Sequence, residues 1–286
     1  MCSLKKIVSA LALGAMMAAA AVATAGTAGA KEWKTVRIAS EGAYPPWNST
    51  DTSGKLTGFE VDFANDLCKR MKVTCEFVAQ DWDGIIPALQ QGKYDAIMSA
   101  MTITDERKKV IAFSVPYGTE PSVFAVLNSS PLGKALNLGA DRVDLNDQAA
   151  AKPTLDKLAD ALKGKTVGVQ VSTIQADFMD KHLPKVEMRT YDKIDNAGID
   201  LTSGRVDAVL GDRSVVEAIV KNDAGKMSVV GPNFIGGVIG EGMGVGLRQD
   251  NADLKAMFDK AIGEALADGT VKKLSTQHFG YDISPK

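Results

Sequence analysis

One pattern occurs twice in this chain, and it limits the folds available more than any other feature. Leu89-Gln-Gln-Gly92-Lys-Tyr-Asp95-Ala-Ile-Met-Ser99 is echoed, diverged, by Leu201-Thr-Ser-Gly204-Arg-Val-Asp207-Ala-Val-Leu-Gly211. Each copy reads as a helix end, a glycine stop and a buried strand. A second echo precedes each copy. Lys34-Thr-Val-Arg-Ile38 matches Lys165-Thr-Val-Gly-Val169, and both read as opening strands. Strand, helix, strand therefore recurs in the same order in both halves. Alternating units of this kind form mostly parallel sheets covered by helices. The expected fold class is α/β with two lobes of related design, each a mostly parallel sheet flanked by helices, joined by a two-stranded hinge.

The ends of the chain refine this picture. Lys5 and Lys6 precede an uncharged, Ala-rich run from Ile7 to Ala30 that ends in Ala28-Gly29-Ala30. This is the pattern of a cleaved export signal over residues 1–30. A membrane anchor is the alternative, but Ala and Gly span a bilayer poorly and no basic cluster follows. Cys2 lies ahead of the apolar run, so it is no lipid-attachment site at the cleavage point. Loss of the segment removes only two charges, leaving 31 basic against 35 acidic residues over 256 positions. A mildly acidic balance gives no reason to expect nucleic acid or an anionic membrane as partner. The length suits two modest domains.

Exported proteins meet an oxidising environment. The two cysteines beyond the leader, Cys68 and Cys75, are expected to pair across a short loop between a helix end and a strand, rather than remain free thiols. With no histidine nearby they make a poor zinc site, and neither a metal nor a cofactor is expected.

Local signals mark the elements. Phe59, Phe63, Leu67 and Met71 form a helical stripe, read as core packing. Trp82-Asp83-Gly84 opens a helix in which Pro87 must sit near the first turn. Thr104 has the place of a cap, with Asp105 and Glu106 behind it. Ser172 and Thr173 precede another capped start. Residues 128–163, polar and Ala-rich with Pro131 and Pro153, read as an excursion on the second lobe. Beyond the Gly-rich stretch 236–246 come a strand, a helix over about 251–267 and a short helix ending near Phe279. This tail is expected to return to the first lobe. The domain reading is therefore 31–121 for the first segment of lobe 1, 122–231 for lobe 2 and 232–286 for the return. The chain then crosses twice, near 118–122 and 230–236, as a hinge would require.

In open α/β sheets ligands bind beyond the carboxyl ends of strands. The residues there are Glu41 and Tyr44, then Trp82, then Ser99, Ala100, Thr102 and Arg107, and in the second half Gln170, Ser172, Thr173 and Asp212. Arg107 opposes the helix dipole, which makes sense if it faces a carboxylate as a bidentate fork. Alone, it would pass for a solvated surface arginine. Ser172 and Thr173 offer hydroxyls and backbone N–H groups to the same carboxylate, a role compatible with ordinary capping. Asp212 either meets an ammonium or caps a loop. Tyr44 and Trp82 either wall a site or fill a core, although Trp82 lies between two aspartates, as a rim residue would. Glu41 is either a distal acid or a surface glutamate. Together they describe a site for an α-carboxylate, an α-ammonium and a cationic side chain, with no catalytic constellation.

Ile38-Ala-Ser-Glu41-Gly-Ala-Tyr44-Pro-Pro-Trp47, Gly58-Phe-Glu-Val-Asp62, Asp81-Trp82-Asp-Gly-Ile-Ile-Pro87, the run from Asp95 to Arg107, and Asp268-Gly-Thr resemble in order the periplasmic amino-acid-binding proteins of ABC importers, solute-binding protein family 3. The likeness covers the chain beyond the leader and is greatest to the lysine/arginine/ornithine, histidine and opine binders. It implies that Arg107, Ser172 and Thr173 take the α-carboxylate, and that Asp212, Ser99 and Thr102 take the ammonium. Tyr44 and Trp82 would sandwich the side chain, and Glu41 would meet its cationic tip. It implies a monomer in the periplasm that delivers its ligand to an ABC permease in the inner membrane. Two departures stand out: Ala100 where many relatives carry serine, and Glu41 where Asp is common. Both resemble the opine side of the branch. Arginine ranks first as ligand, then ornithine, lysine and histidine, with octopine- or nopaline-like opines open. Two rivals remain. A dehydratase-like enzyme would have only His182 and His278, neither in a catalytic motif. A free-standing sensor would look the same in sequence, and a receptor ectodomain would be expected to continue beyond Lys286 into a membrane helix.

Overall fold

The structure, a computed structural model, describes residues 32–223 and 225–285. The export-signal reading lies outside the described residues. Two open α/β sheets organise the chain. The first has five strands in the order Thr74–Ala79, Thr35–Ser40, Ala96–Ile97, Gly246–Leu247 and Ala112–Phe113. The first three run parallel, with Thr35 opposite Thr74 and Ile38 opposite Ala96. Gly246–Leu247 enters antiparallel between its neighbours, so the tail completes this sheet. The second sheet has six strands in the order Glu187–Tyr191, Thr166–Gln170, Ala208–Asp212, Ser122–Leu127, Met227–Ile235 and Arg142–Asp144.

The sequence echo has a structural counterpart. Ala96–Ile97 lies beside the opening strand of the first sheet, and Ala208–Asp212 lies beside Thr166–Gln170, parallel in both cases. The fold is thus the two-lobed α/β arrangement expected. The chain leaves the first sheet after Phe113 and enters the second at Ser122. It returns after Ile235, so the last strand of the second sheet runs to that residue. On the return path Gly242 has φ 109°, and a Cβ there would come within 2.7 Å of the Gly118 carbonyl oxygen. Only glycine fits this crossing.

The helices follow their residue types. Phe59–Met71 buries Phe59, Phe63 and Leu67 and ends in a left-handed Lys72. The disulfide Cys68–Cys75 ties that helix end to the strand Thr74–Ala79, with 6.0 Å between the Cα atoms. Pro87 occupies the third position of Ile85–Gln90, where a missing N–H costs nothing. The tail helices Ala252–Ala267 and Thr270–Phe279 pack against Phe59–Met71, with the Phe279 ring 4.9 Å from Trp47 and 5.3 Å from Phe59. The 128–163 excursion contains a 14-residue helix, Gln148–Ala161, with Pro153 inside it. Burial of Ala151 and Leu158 and the Asp147 cap on Ala150 N hold it despite the proline. No helix among the described residues is long and apolar enough to cross a membrane.

Candidate functional site

The carboxyl ends of the two sheets face one cleft, and the residues that follow the strands meet in it. A pocket there is lined by Glu41, Tyr44, Trp82, Ser99, Ala100 and Thr102, joined by Arg107, Gln170, Thr173 and Asp212. Ten of the eleven candidate residues are therefore brought together. The pocket also takes in Ile174 and Gln175. Ser172 is not among the lining residues.

On the first lobe, backbone geometry fixes the side chains. The Glu41 N–H donates to Ser99 Oγ over 3.0 Å, tying the ends of two neighbouring strands. Ala100 adopts φ 47°, and its N–H donates to Glu60 Oε1 over 2.7 Å. Glu60, almost wholly buried, also accepts from Asn48 Nδ2 at 2.8 Å and from the Tyr117 hydroxyl. Asn48 Oδ1 in turn accepts from the Gly42 N–H. One buried carboxylate thus braces both loops that carry Glu41 and Ala100. Thr104 caps the short helix Asp105–Lys108, as expected. The Arg107 side chain leaves that helix to donate to the Thr102 carbonyl over 2.9 Å, and lies 5.2 Å from the centre of the Trp82 ring.

On the second lobe, Thr173, not Ser172, caps the helix Ile174–His182, accepting from Ala176 N over 3.3 Å. Asp212 precedes the helix Arg213–Asn222, yet its side chain makes no cap bond. It turns into the cleft, where Oδ2 accepts from the Tyr44 hydroxyl at 3.0 Å and Oδ1 from Gln175 Nε2 at 2.9 Å. Gln175 also donates to Ser122 Oγ, which fixes the amide. At the other end of the pocket Gln170 Nε2 donates to Glu41 Oε1 over 2.6 Å and to the Asp192 carbonyl over 3.0 Å.

The charges are arranged by sign. Glu41 is 7 % exposed and Asp212 4 %. Burial raises the Glu41 pKa to about 7, against the opposing hydrogen bond from Gln170. Burial, reinforced by the charge of Glu120, raises Asp212 to about 7. Removal from water lowers Arg107 to about 10, still a cation at neutral pH. Among the described residues none of these three groups has an oppositely charged side chain within 4.0 Å. Buried charges are ordinarily paired. The pocket thus holds one cation, two acids and aromatic walls, with Arg107 and Asp212 near enough to act on each other's charge.

His182 lies tilted against Phe178 at 5.2 Å, and His278 meets Asp62 at 2.8 Å; neither lines the pocket. Among the described residues no group of three His, Cys, Asp or Glu could hold a metal ion. Gln175 and Ile174 escaped the sequence reading because they resemble the first turn of an ordinary helix. The available signal was their place, directly after the Thr173 cap at the end of a strand.

Comparison with known proteins gives a consistent result. The model of the bacterial extracellular solute-binding proteins, family 3, matches residues 36–281. The octopine-binding periplasmic protein of Rhizobium meliloti is 43 % identical over 96 % of this chain and 99 % of its own. The L-arginine-binding protein of Pseudomonas aeruginosa is 37 % identical over 87 % of this chain and 90 % of its own. The solved structure of an ancestral arginine-binding protein bound to arginine has a TM-score of 0.71 at 35 % identity, covering 86 % of this chain and 98 % of that one.

Proposed function

The chain belongs to the family 3 bacterial extracellular solute-binding proteins, and on that premise we propose that it captures a cationic amino acid, arginine first, between its lobes and hands it to an ABC permease. The observation that carries this reading is the charge pattern. Arg107 stands at one side of the pocket and Asp212 and Glu41 at two others, with two aromatic walls between. None of the three has an ionic partner among the described residues. In this reading Arg107, with the Thr102 hydroxyl and the Thr173 N–H, takes the α-carboxylate as a planar fork, the Thr173 hydroxyl being held on the Gln170 carbonyl. Asp212, held by Gln175 and Tyr44, takes the α-ammonium, with Ser99 adjacent. Tyr44 and Trp82 flank the aliphatic stem. Glu41, oriented by Gln170, takes the guanidinium. The site offers a binding partner for every charge of such a ligand, which favours capture as its role.

The first lobe is read as 31–121 together with the tail, and the intervening segment as the second lobe, extended to Ile235 by its last strand. Closure about the two crossings completes the cage, because ligand touches both lobes only in the closed form and so favours it. The protein works as a monomer in the periplasm, after loss of residues 1–30. A second ligand class, the opines, is favoured by the 43 % identity to the octopine-binding relative across nearly the whole of both chains. Ala100 in the pocket wall supports it, since a methyl group leaves space where a hydroxyl would hold a smaller ligand.

Calorimetric titration of the refolded, ligand-stripped protein tests this. Arginine binding at micromolar Kd or better (about −8 kcal/mol) supports the cationic site. Octopine binding without arginine binding moves the assignment to opines. Binding of glutamate alone refutes the role given to Glu41.

A further inference from the structure

Three consecutive residues of the first lobe reach across the mouth of the cleft. Trp82 Nε1 donates to the Ser172 carbonyl over 3.2 Å. Ser172 Oγ donates to Asp83 Oδ1 over 3.1 Å. Lys193 Nζ lies 3.9 Å from Asp81 Oδ1. The same Ser172 carbonyl accepts a longer bond, 3.4 Å, from Arg107 Nη2. Asp81, Asp83, Ser172 and Lys193 all lie outside the lining of the pocket.

Ser172 makes these contacts from φ 58°, the left-handed region. That conformation costs an L-residue with a Cβ on the order of 1 kcal/mol and persists where the surroundings over-determine it. Here the surroundings are the Thr173 hydroxyl on the Gln170 carbonyl within the turn, and the other lobe across the cleft. The carbonyl is aimed at Trp82 and Arg107, which are themselves packed ring to cation and form one wall of the pocket. The hydroxyl is aimed at Asp83.

We propose that Asp81, Asp83, Ser172 and Lys193 are positioning residues, an interlobe clasp that holds Trp82 and Arg107 against the second lobe and slows ligand release without touching ligand. Every contact in the clasp joins the two lobes, so it exists only when they are together. It stabilises the closed form alone and leaves the first encounter with the open form unchanged. The hydroxyl–carboxylate bond, also exposed but at hydrogen-bond distance, is its closer arm. The Asp81–Lys193 pair is exposed and separated, so it contributes little and is screened by salt. The proposal rests on the reading that the lobes close over a solute.

The test is stopped-flow tryptophan fluorescence on the full mature chain, with L-arginine and octopine as separate probes. Asp83→Ala and Ser172→Gly each remove the same bond, and glycine keeps the backbone conformation. Each is expected to raise koff roughly three- to tenfold with kon within about twofold, the effect of one lost hydrogen bond at an exposed site. The double variant should be no faster than the faster single, since both delete one interaction. Asp83→Asn retains an acceptor and should keep most of the slow release. Lys193→Ala should raise koff at low salt only. If wild type binds a probe and Asp83→Ala and Ser172→Gly release it at the wild-type rate, the clasp is wrong while solute binding stands. A fall in kon in place of a rise in koff overturns the clasp in the same way. If wild type binds neither probe in calorimetry, the function reading fails and the clasp falls with it.

Discussion

Acidification from pH 8 to pH 6 should release a cationic ligand, and the size of the effect follows from the two acids of the pocket. Glu41 and Asp212 both titrate near 7 because they are buried. A ligand that sets a guanidinium on one and an ammonium on the other needs both ionised. If the complex returns both to ordinary carboxylate values, the affinity varies as the product of the two ionised fractions. The loss between pH 8 and pH 6 is then roughly 100-fold, about 2.7 kcal/mol at ~1.4 kcal/mol per tenfold change. Only one coupled acid gives about tenfold, so the slope of log affinity against pH counts the acids involved. Calorimetry at pH 6 in two buffers of different ionisation enthalpy should show close to two protons released per ligand. The free protein should respond in the opposite sense. Both folded pKa values lie above the unfolded ones, so the stabilisation they confer is complete below about pH 4 and is lost as pH rises through about 7. Each acid costs the free protein at most roughly 3–4 kcal/mol at alkaline pH, since a tenfold change in proton affinity is worth ~1.36 kcal/mol. Thermal melts should therefore show ligand stabilising most at pH 8. Affinity that stays flat from pH 6 to pH 8, or proton uptake on binding, would refute the pairing of these acids with a cationic ligand.

Other substitutions divide the site by role. Arg107→Ala should weaken arginine at least roughly 100-fold, the loss of about 3 kcal/mol in a charge-assisted fork, and Arg107→Lys should restore only part of it in the same titration. Glu41→Gln should weaken arginine by at least roughly tenfold and remove one proton from the release at pH 6, while a neutral amino acid of similar length loses nothing. Glu60→Ala should weaken every ligand alike, because it loosens the loops of Glu41 and Ala100 and not any one contact; ligand-dependent loss would count against that. Reduction, or Cys68→Ser with Cys75→Ser, should lower stability by about 2–3 kcal/mol, seen as a fall in Tm of roughly 4–10 °C, with affinity unchanged.

How far the sequence went is a matter of which physical rule governed each residue. The duplicated strand–helix–strand pattern was legible because periodicity and glycine stops act locally, and the two strands it marks hold equivalent places beside their opening strands. The site was legible because ligands in open α/β sheets lie beyond strand ends, so position alone selected Glu41, Ser99, Gln170 and Asp212. What failed to show depended on tertiary contacts. Gln148–Ala161 is a helix in spite of Pro153, since packing of Leu158 overrides a local penalty. Glu60 reads as a first-turn acid serving the helix dipole, yet it is buried and bonded to Ala100, Asn48 and Tyr117.

Ser172 shows the limit most sharply. Two adjacent hydroxyl residues after a strand are equivalent in sequence as candidates for a carboxylate. One backbone dihedral separates them: with Ser172 at φ 58°, Thr173 becomes both cap and pocket wall, and Ser172 turns to Asp83 across the cleft. No local preference predicts that choice, because a left-handed serine is unfavourable by itself. Within its own lobe the turn is held by the Thr173 hydroxyl on the Gln170 carbonyl, and across the cleft it meets residues some ninety positions away. The Ser172–Asp83 contact joins the two lobes, and so it bears on how the lobes hold a ligand.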